Sequence, residues 1–504
     1  MAPGPEILPT PPPRTDPTLR QPLEQPTAVE APQPPAIQPA QPVATDRPLP
    51  INLATALELS NARPLVIAFA QASVEEAAAR LQGAQVLWLP NLNTGFEYLR
   101  HDGFDQSTDG SVIQDSKNAL AVGCGATLIF GVTDAIFVPL AARQELAARQ
   151  WDLQTARNDA LLRVAVSYFD VQEARGKLAG TLDAAAKADE LLRRIESLAK
   201  GLVAEIEVDR ARTLQADLNQ EVAAARAAWR INSSKLVRVL RLNPSAVVVP
   251  VEPSHLQVTL IPPGRAVDDL IPIGLTCRPE LASQQSLVRA TLERLRQERL
   301  RPLLPNVIVG SNTGPGGTLN GSIFAGGRND NMSSSGGRFD MDMGLVWTLN
   351  NLGAGNRALV RQRSAQQREA IVELYDVQDR VAQEVVQAHA ELDAAAAQVQ
   401  AAAVDVREAE ITYRGNLIGI GQTRGAGDLL QLVNRPQEAV AALQALDRAY
   451  QSYFFAVNDY NRAEFQLYRA LGYPARTLIC DCPVGEPRAV DTSRPAQMAP
   501  AGPR

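Results

Sequence analysis

The sequence predicts an α+β chain, mainly helical, in which one unit of helix, strand, strand and long helix pair occurs twice. Three observations predict it: Pro motifs at identical spacing in both halves, one strand of near-perfect alternation in an Ala-rich chain, and apolar seams along very long helical segments. NARPLV at Asn61 to Val66 is followed by LPNL at Leu89 to Leu92, and TCRPEL at Thr276 to Leu281 by LPNV at Leu304 to Val307. The distance from Pro64 to Pro90 is 26 residues, and so is that from Pro279 to Pro305. In RFDMDMGLVWTL, Phe339, Met341, Met343, Leu345, Trp347 and Leu349 fall on one face, with Asp340, Asp342, Gly344 and Thr348 on the other. That is the period of a strand with one apolar side. At ~3.3 Å per residue it exceeds the roughly 9–11 tilted residues of a membrane-spanning strand. A half-buried sandwich strand has the same pattern, so the rest of the chain must decide.

Composition sets the bounds. The 504 residues are 45% hydrophobic and 21% charged, enough to bury a large core. No apolar run reaches the roughly 18 residues of a transmembrane helix, so a membrane would be entered as strands. A net charge of -6 and a pI near 5.4 give no general basic surface, which argues against a nucleic-acid partner. Of the four Cys, Cys124 and Cys277 stand alone and Cys480 and Cys482 form CDC with no second ligand pair. No metal or cofactor site is expected, because structural zinc needs four convergent ligands.

Residues 1–50 are polar and Pro-rich and are assigned to an extended, disordered linker. No charged segment followed by an apolar one marks a signal peptide, which leaves open an internal protein or an export signal upstream of this start. The first repeat spans 51–258, with strands over about 91–130 (NLNTGFEYLR and NALAVGCGATLIF flanking a polar loop) and a hairpin tip about 200–206. The second spans 265–475, with strands over about 306–349 and a tip about 419–428. Here NVIVGSNTG and the alternating strand flank a Gly-rich stretch, GGTLNGSIFAGGRNDNMSSSGG, assigned to a loop. Residues 476–504 read as a disordered tail.

The long helices carry the seams. Val385, Ala388, Leu392, Ala395, Val399, Ala402, Val406, Ala409 and Tyr413 recur at alternating steps of three and four. Val164, Tyr168, Val171, Leu178, Leu182 and Ala185 keep the same phase, with Arg175 breaking it and Gly176 and Gly180 interrupting the segment. After a Gly-bearing turn the chain returns with Val208, Ala211, Leu218, Val222, Ala225, Trp229, Leu236 and Val239 in one stripe. Two antiparallel coiled-coil hairpins, each with a strand pair at its root, follow.

Both halves resemble the outer-membrane efflux (TolC-like) family over about Ile51 to Pro474. The resemblance rests on the paired RP…LPN segments and the junctions FGVTDAIFVPLAARQ and VWTLNNLGAGNRALV. To these are added GLVAEIEVDRAR at the first tip and the closing LVRVLRLNP and LYRALGYP. It implies a homotrimer whose chains give four strands each to one outer-membrane β-barrel, joined to a long coiled-coil α-helical barrel in the periplasm. The implied role is the channel of a tripartite efflux or type I secretion system in a Gram-negative-type bacterium. Its implied partners are a periplasmic adaptor and an inner-membrane pump. Physics also asks for assembly, since four strands cannot close a barrel and lipid tolerates no open sheet edge. Phe339, Met341, Met343, Leu345 and Trp347 would then face lipid.

The resemblance also supplies candidate sites. Asp428 matches an acidic position at the narrow periplasmic end, with Arg424 four residues before it and Gln431 where a second Asp can occur. Asp428 also follows Gly427 as a helix N-cap would. Glu207 replaces the usual Asp at the first tip, and Gly201, Leu202, Val203 and Gly421 fall in the turns that would dock the adaptor. Asp428 stands about ten residues farther from Leu471 than Glu207 does from Leu240. No catalytic constellation is expected: His101, His255 and His389 are scattered, GPGG at Gly314 lacks a following GK[ST], and GAGNR at Gly353 lacks a third Gly. The alternative is a soluble or periplasmic coiled-coil scaffold without channel activity.

Overall fold

The computed structural model describes residues 37–62, 64–199, 203–310, 321–328, 331–339, 341–420, 422–426 and 429–472. Its core is two helical hairpins. In the first repeat, α1 (Leu53–Ala62) and α2 (Leu65–Gln85) precede strands β2 (Asn91–Gln106) and β3 (Val112–Gly131), then α3 (Val132–Leu198) and α4 (Glu205–Leu240). In the second, α5 (Val267–Cys277) and α6 (Pro279–Leu300) precede β5 (Asn306–Val309), β6 (Gly321–Arg328), β7 (Ser334–Phe339) and β8 (Met343–Val346). Then come α7 (Ala354–Ile420), β9 (Thr423–Ala426), β10 (Leu429–Leu432) and α8 (Pro436–Ala470). A short parallel pair, β1 (Arg47–Ile51) with β4 (Ala246–Pro250), ties the N-terminal segment to the end of the first repeat.

The Pro motifs have a local reason. Pro279 opens α6 at its first turn, where a missing N–H leaves no bond unmade, and Pro64 caps α2 from an extended backbone. Arg278, just before α6, is buried and fans out to Glu280 at 2.9 Å and Glu384 at 2.6 Å. The LPN segments mark the passage from helix to sheet: Val132 N–H donates to Pro305 O at 3.2 Å, and Asn306 Nδ2 to Thr348 Oγ1 at 3.3 Å.

The long helices α3 and α7 have 67 residues each, ~100 Å at ~1.5 Å per residue. Their seams are the core: Val164, Tyr168, Val171, Leu178, Val385, Val399, Val406 and Tyr413 are all buried. Arg175 does not leave the seam. It is buried, and its guanidinium donates to Ala40 O at 3.1 Å and Pro250 O at 2.6 Å. Residues 37–50, which composition assigns to the linker, are therefore partly built into the fold, with Ala40 buried and Asp46 paired to Arg230 at 2.8 Å. Gly176 and Gly180 do not interrupt α3 either. A Cβ on Gly176 would stand 2.4 Å from the Phe454 ring and one on Gly180 2.7 Å from Tyr450 Cβ, so these positions let α8 lie against α3. Farther along α8, Glu464 accepts from Leu260 N–H at 3.1 Å and Ile261 N–H at 3.3 Å and pins the segment joining the repeats. Burial pushes its carboxyl up from the ordinary range, against those two bonds.

The sheet is organised by β3. Along one edge it pairs with β2 from Asn91↔Thr127 to Gln106↔Val112. Along the other it pairs first with β6, from Lys117↔Arg328 to Cys124↔Gly321, then with β5, from Leu128↔Val309 to Gly131↔Asn306. Strand β7 lies beyond β6 and β8 beyond β5. Among the described residues six strands thus fill four strand positions, and the outer edges of β2 and of β7 with β8 have no partner strand. Two expectations change. GSIFAGGR and SSGG, assigned to a loop, belong to strands β6 and β7. The alternating stretch is not one strand: β7 ends at Phe339 and β8 starts at Met343, although Gly310 N–H still donates to Asp342 O at 2.9 Å. GPGG at Gly314 lies outside the described residues.

Candidate functional site

Residues paired across neighbouring strands project to the same side, so the register assigns the faces. The pairs Phe96↔Val122, Val122↔Ile323, Leu128↔Val309 and Val309↔Met343 put these side chains on one face. Leu345 joins them through Val307 and Phe130, and Phe339 through Gly321 and Cys124. Phe96, Val122, Ile323, Phe339 and Met343 are each more than half exposed. Met341 is exposed between β7 and β8. Trp347 follows β8, exposed, and its Nε1–H donates to Leu303 O at 3.3 Å.

The other face is charged. It carries Glu97, His101 and Asp105 of β2, Asp115 and Lys117 of β3 and Arg328 of β6. Lys117 Nζ stands 2.5 Å from Asp105 and 3.9 Å from Asp115, and Arg328 Nε 3.3 Å from Asp115. Glu97 Oε2 and His101 Nε2 are shielded from solvent without a hydrogen-bond partner. Sequence reasoning missed this face, although it leaves a signal: Asn93, Glu97, His101 and Asp105 recur every fourth residue along β2.

At the far end the two hairpin tips differ. In the first, α3 ends at Leu198 and α4 starts at Glu205. Val203 packs against the core of this end, whereas Gly201 and Leu202 lie outside the described residues. Glu207 is paired with Arg210 at 2.6 Å, and the same guanidinium nitrogen reaches Gln437 Oε1 of α8 at 3.4 Å. Arg210 thereby links the starts of α4 and α8, one from each repeat. Beside it a groove of about 400 Å³ runs between these helices, lined among others by Ile206, Thr213, Asp217, Val440 and Gln444.

The second tip is a β-hairpin. Strands β9 and β10 pair from Leu429↔Ala426 to Leu432↔Thr423, and Val433 N–H donates to Gln422 O at 3.0 Å. Its base is tight: a Cβ on Gly419 would stand 2.5 Å from Asn434 Nδ2, which donates to Asn416 Oδ1 at 2.9 Å. Since α4 and α8 have 36 and 35 residues, the surplus in the second repeat is this hairpin. Helix α8 starts at Pro436 behind Arg435, so the helix-cap expectation for Asp428 is overturned. Asp428 and Gly421 lie outside the described residues, and Arg424 stands in β9 opposite Gln431. Among the described residues no group of His, Cys, Asp and Glu could hold a metal ion, and no helix is long and apolar enough to cross a membrane.

No protein-family model matches the chain, and neither does any curated protein. Solved structures do. The outer membrane protein VceC of Vibrio cholerae is 14% identical, with a TM-score of 0.64 over 83% of this chain and 96% of its own. The MtrE outer membrane channel of Neisseria gonorrhoeae, in its open state, is 16% identical, with a TM-score of 0.66 over 90% of this chain and 97% of its own. The CmeC outer membrane channel of Campylobacter jejuni is 16% identical, with a TM-score of 0.61 over 84% of this chain and 85% of its own. The repeated hairpins, the four strand positions and these likenesses together give the chain the TolC-like fold of outer-membrane channels.

Proposed function

We propose that the protein is the outer-membrane channel of a tripartite efflux or type I secretion system and works as a homotrimer. The observation that carries this reading is the sheet, with one exposed face that is apolar from Phe96 and Val122 to Met343 and turns charged only farther along β2, at Arg100 and Asp102, one charged face, and two edges open among the described residues. Edges left open in lipid would strand backbone groups at several kcal/mol each. Three copies of four strand positions close them into a twelve-stranded barrel, apolar side to lipid and charged side to water. The coiled coils continue the conduit into the periplasm, and their tips meet an adaptor that bridges to an inner-membrane pump. Val203, Glu207 and the second tip are the surfaces this docking would use.

Fractionation followed by cross-linking in mild detergent tests it. The protein should partition with outer membranes, extract as a trimer and give ion conductance in planar bilayers. A soluble monomer without conductance would replace the channel reading with the coiled-coil scaffold.

A further inference from the structure

Asp447 sits on α8 in the wall between the hairpins, 6% exposed, with Oδ1 sealed from solvent and without a hydrogen-bond partner. Within its reach are Thr181 of α3, Gln451 one turn on and the carboxyl of Glu221 from α4. The Gln451 amide is itself held to Thr181 Oγ1 at 2.7 Å, so the pocket is built from three helices. Two carboxyl groups can hydrogen-bond only when one keeps its proton.

Among the described residues no cation acts on either carboxyl. On α4, Asp217 stands one turn before Glu221 and adds negative charge. On α3, Lys177 is held by Glu173 at 2.6 Å, and Lys187 is paired with Asp183. On α7, Arg414 is paired with Glu410, and on α8 itself Arg448 turns back to Gln444 O. Burial raises the Asp447 carboxyl above its ordinary range, and burial followed by the charge of Asp447 raises Glu221.

We propose that Glu221 and Asp447 share a proton and form a pH-sensitive latch between the first hairpin, through α4, and the second, through α8. With the proton in place the pair is a hydrogen bond across the two repeats. Without it, the buried Asp447 carboxylate and the exposed Glu221 carboxylate repel each other where α4 meets α8. The sign follows from the raised carboxyls: the packed state favours the protonated pair. The latch is therefore complete in acid and weakens as pH rises above the ordinary carboxylate range through the raised values.

Hydrogen exchange of the purified full chain, from about pH 5 to about pH 8, reads the latch without requiring conduction, so its failure is distinct from failure of the channel reading. After correction for intrinsic exchange, amides of α4 and α8 within a turn of Glu221 and Asp447 should lose protection with rising pH. One linked proton sets the limit at about tenfold per pH unit. Amides of α6 should not follow. Asp447→Asn keeps the shape and should flatten the profile. Glu221→Gln, at an exposed position, should do the same and keeps the test decisive if the buried variant fails to fold. A flat wild-type profile, or one that persists in the variant that folds, overturns the proposal.

Discussion

At the scale of single residues, the two faces of the sheet make opposite demands. Met343 is on the apolar face and more than half exposed, in register with Val309 and Leu128. In a barrel that face meets hydrocarbon, and a cation near the midplane costs ~2–4 kcal/mol. Met343→Arg or Leu345→Arg should lower the yield of heat-resistant trimer on gels, whereas Asp342→Asn should leave it near wild type. Equal losses would refute the face assignment. In the helices the sensitive positions are those where a side chain has no room. Gly176→Val would drive its Cβ into Phe454 and should lower the thermal unfolding midpoint, by about 1–3 kcal/mol of overpacking. The same change at Gly415, where an added Cβ meets nothing, should be milder, apart from the helix-propensity difference.

At the scale of elements, what the sequence discloses depends on length. A seam repeated over nine residues, Val385 to Tyr413, averages out local exceptions, and Val385, Val399, Val406 and Tyr413 are buried as the period requires. Arg175 defeats the pattern because its charge is satisfied by backbone carbonyls from distant segments, which no local period encodes. Strand β6 was illegible for the opposite reason. GSIFAGGR has few side chains to alternate, and it is a strand because β3 pairs with it. β9 and β10 have four residues each, too short for any period. The candidate tip residues were located by resemblance, and of these the helix-cap reading of Asp428 fails because the hairpin displaces the start of α8 to Pro436, whereas Glu207 lies in the first turn of α4. Replacing residues 422–433 by the short turn of the first tip should therefore leave the fold intact, since shortening a surface connection changes stability little. Circular dichroism and the unfolding midpoint should stay near wild type. A collapse of helical content would mean that the hairpin is part of the core.

At the scale of the whole molecule, the open edges of the sheet bear on the tips. On the channel reading, closure of the barrel by three chains would place three second tips around one axis, and Arg424 and Asp428 would each occur three times near one mouth. Low-dielectric walls focus the field of such a ring and raise the local concentration of cations. The expected outcome is a mouth nearly closed at rest, with low conductance in planar bilayers and block by a multivalent cation added on the tip side. Asp428→Ala should relieve that block. Arg424→Ser should raise conductance modestly if it holds an acidic neighbour, because an exposed ion pair contributes only ~0–1 kcal/mol. The hairpin sharpens the test: Arg424 is paired in register with Gln431, so an acidic partner would have to come from outside the β9–β10 register. The double variant then tells the cases apart. If Arg424 holds Asp428 of a neighbouring copy, the effects of the two substitutions on conductance should fall short of additive. If they add fully, the two residues act independently, and cation block is the property of Asp428 alone.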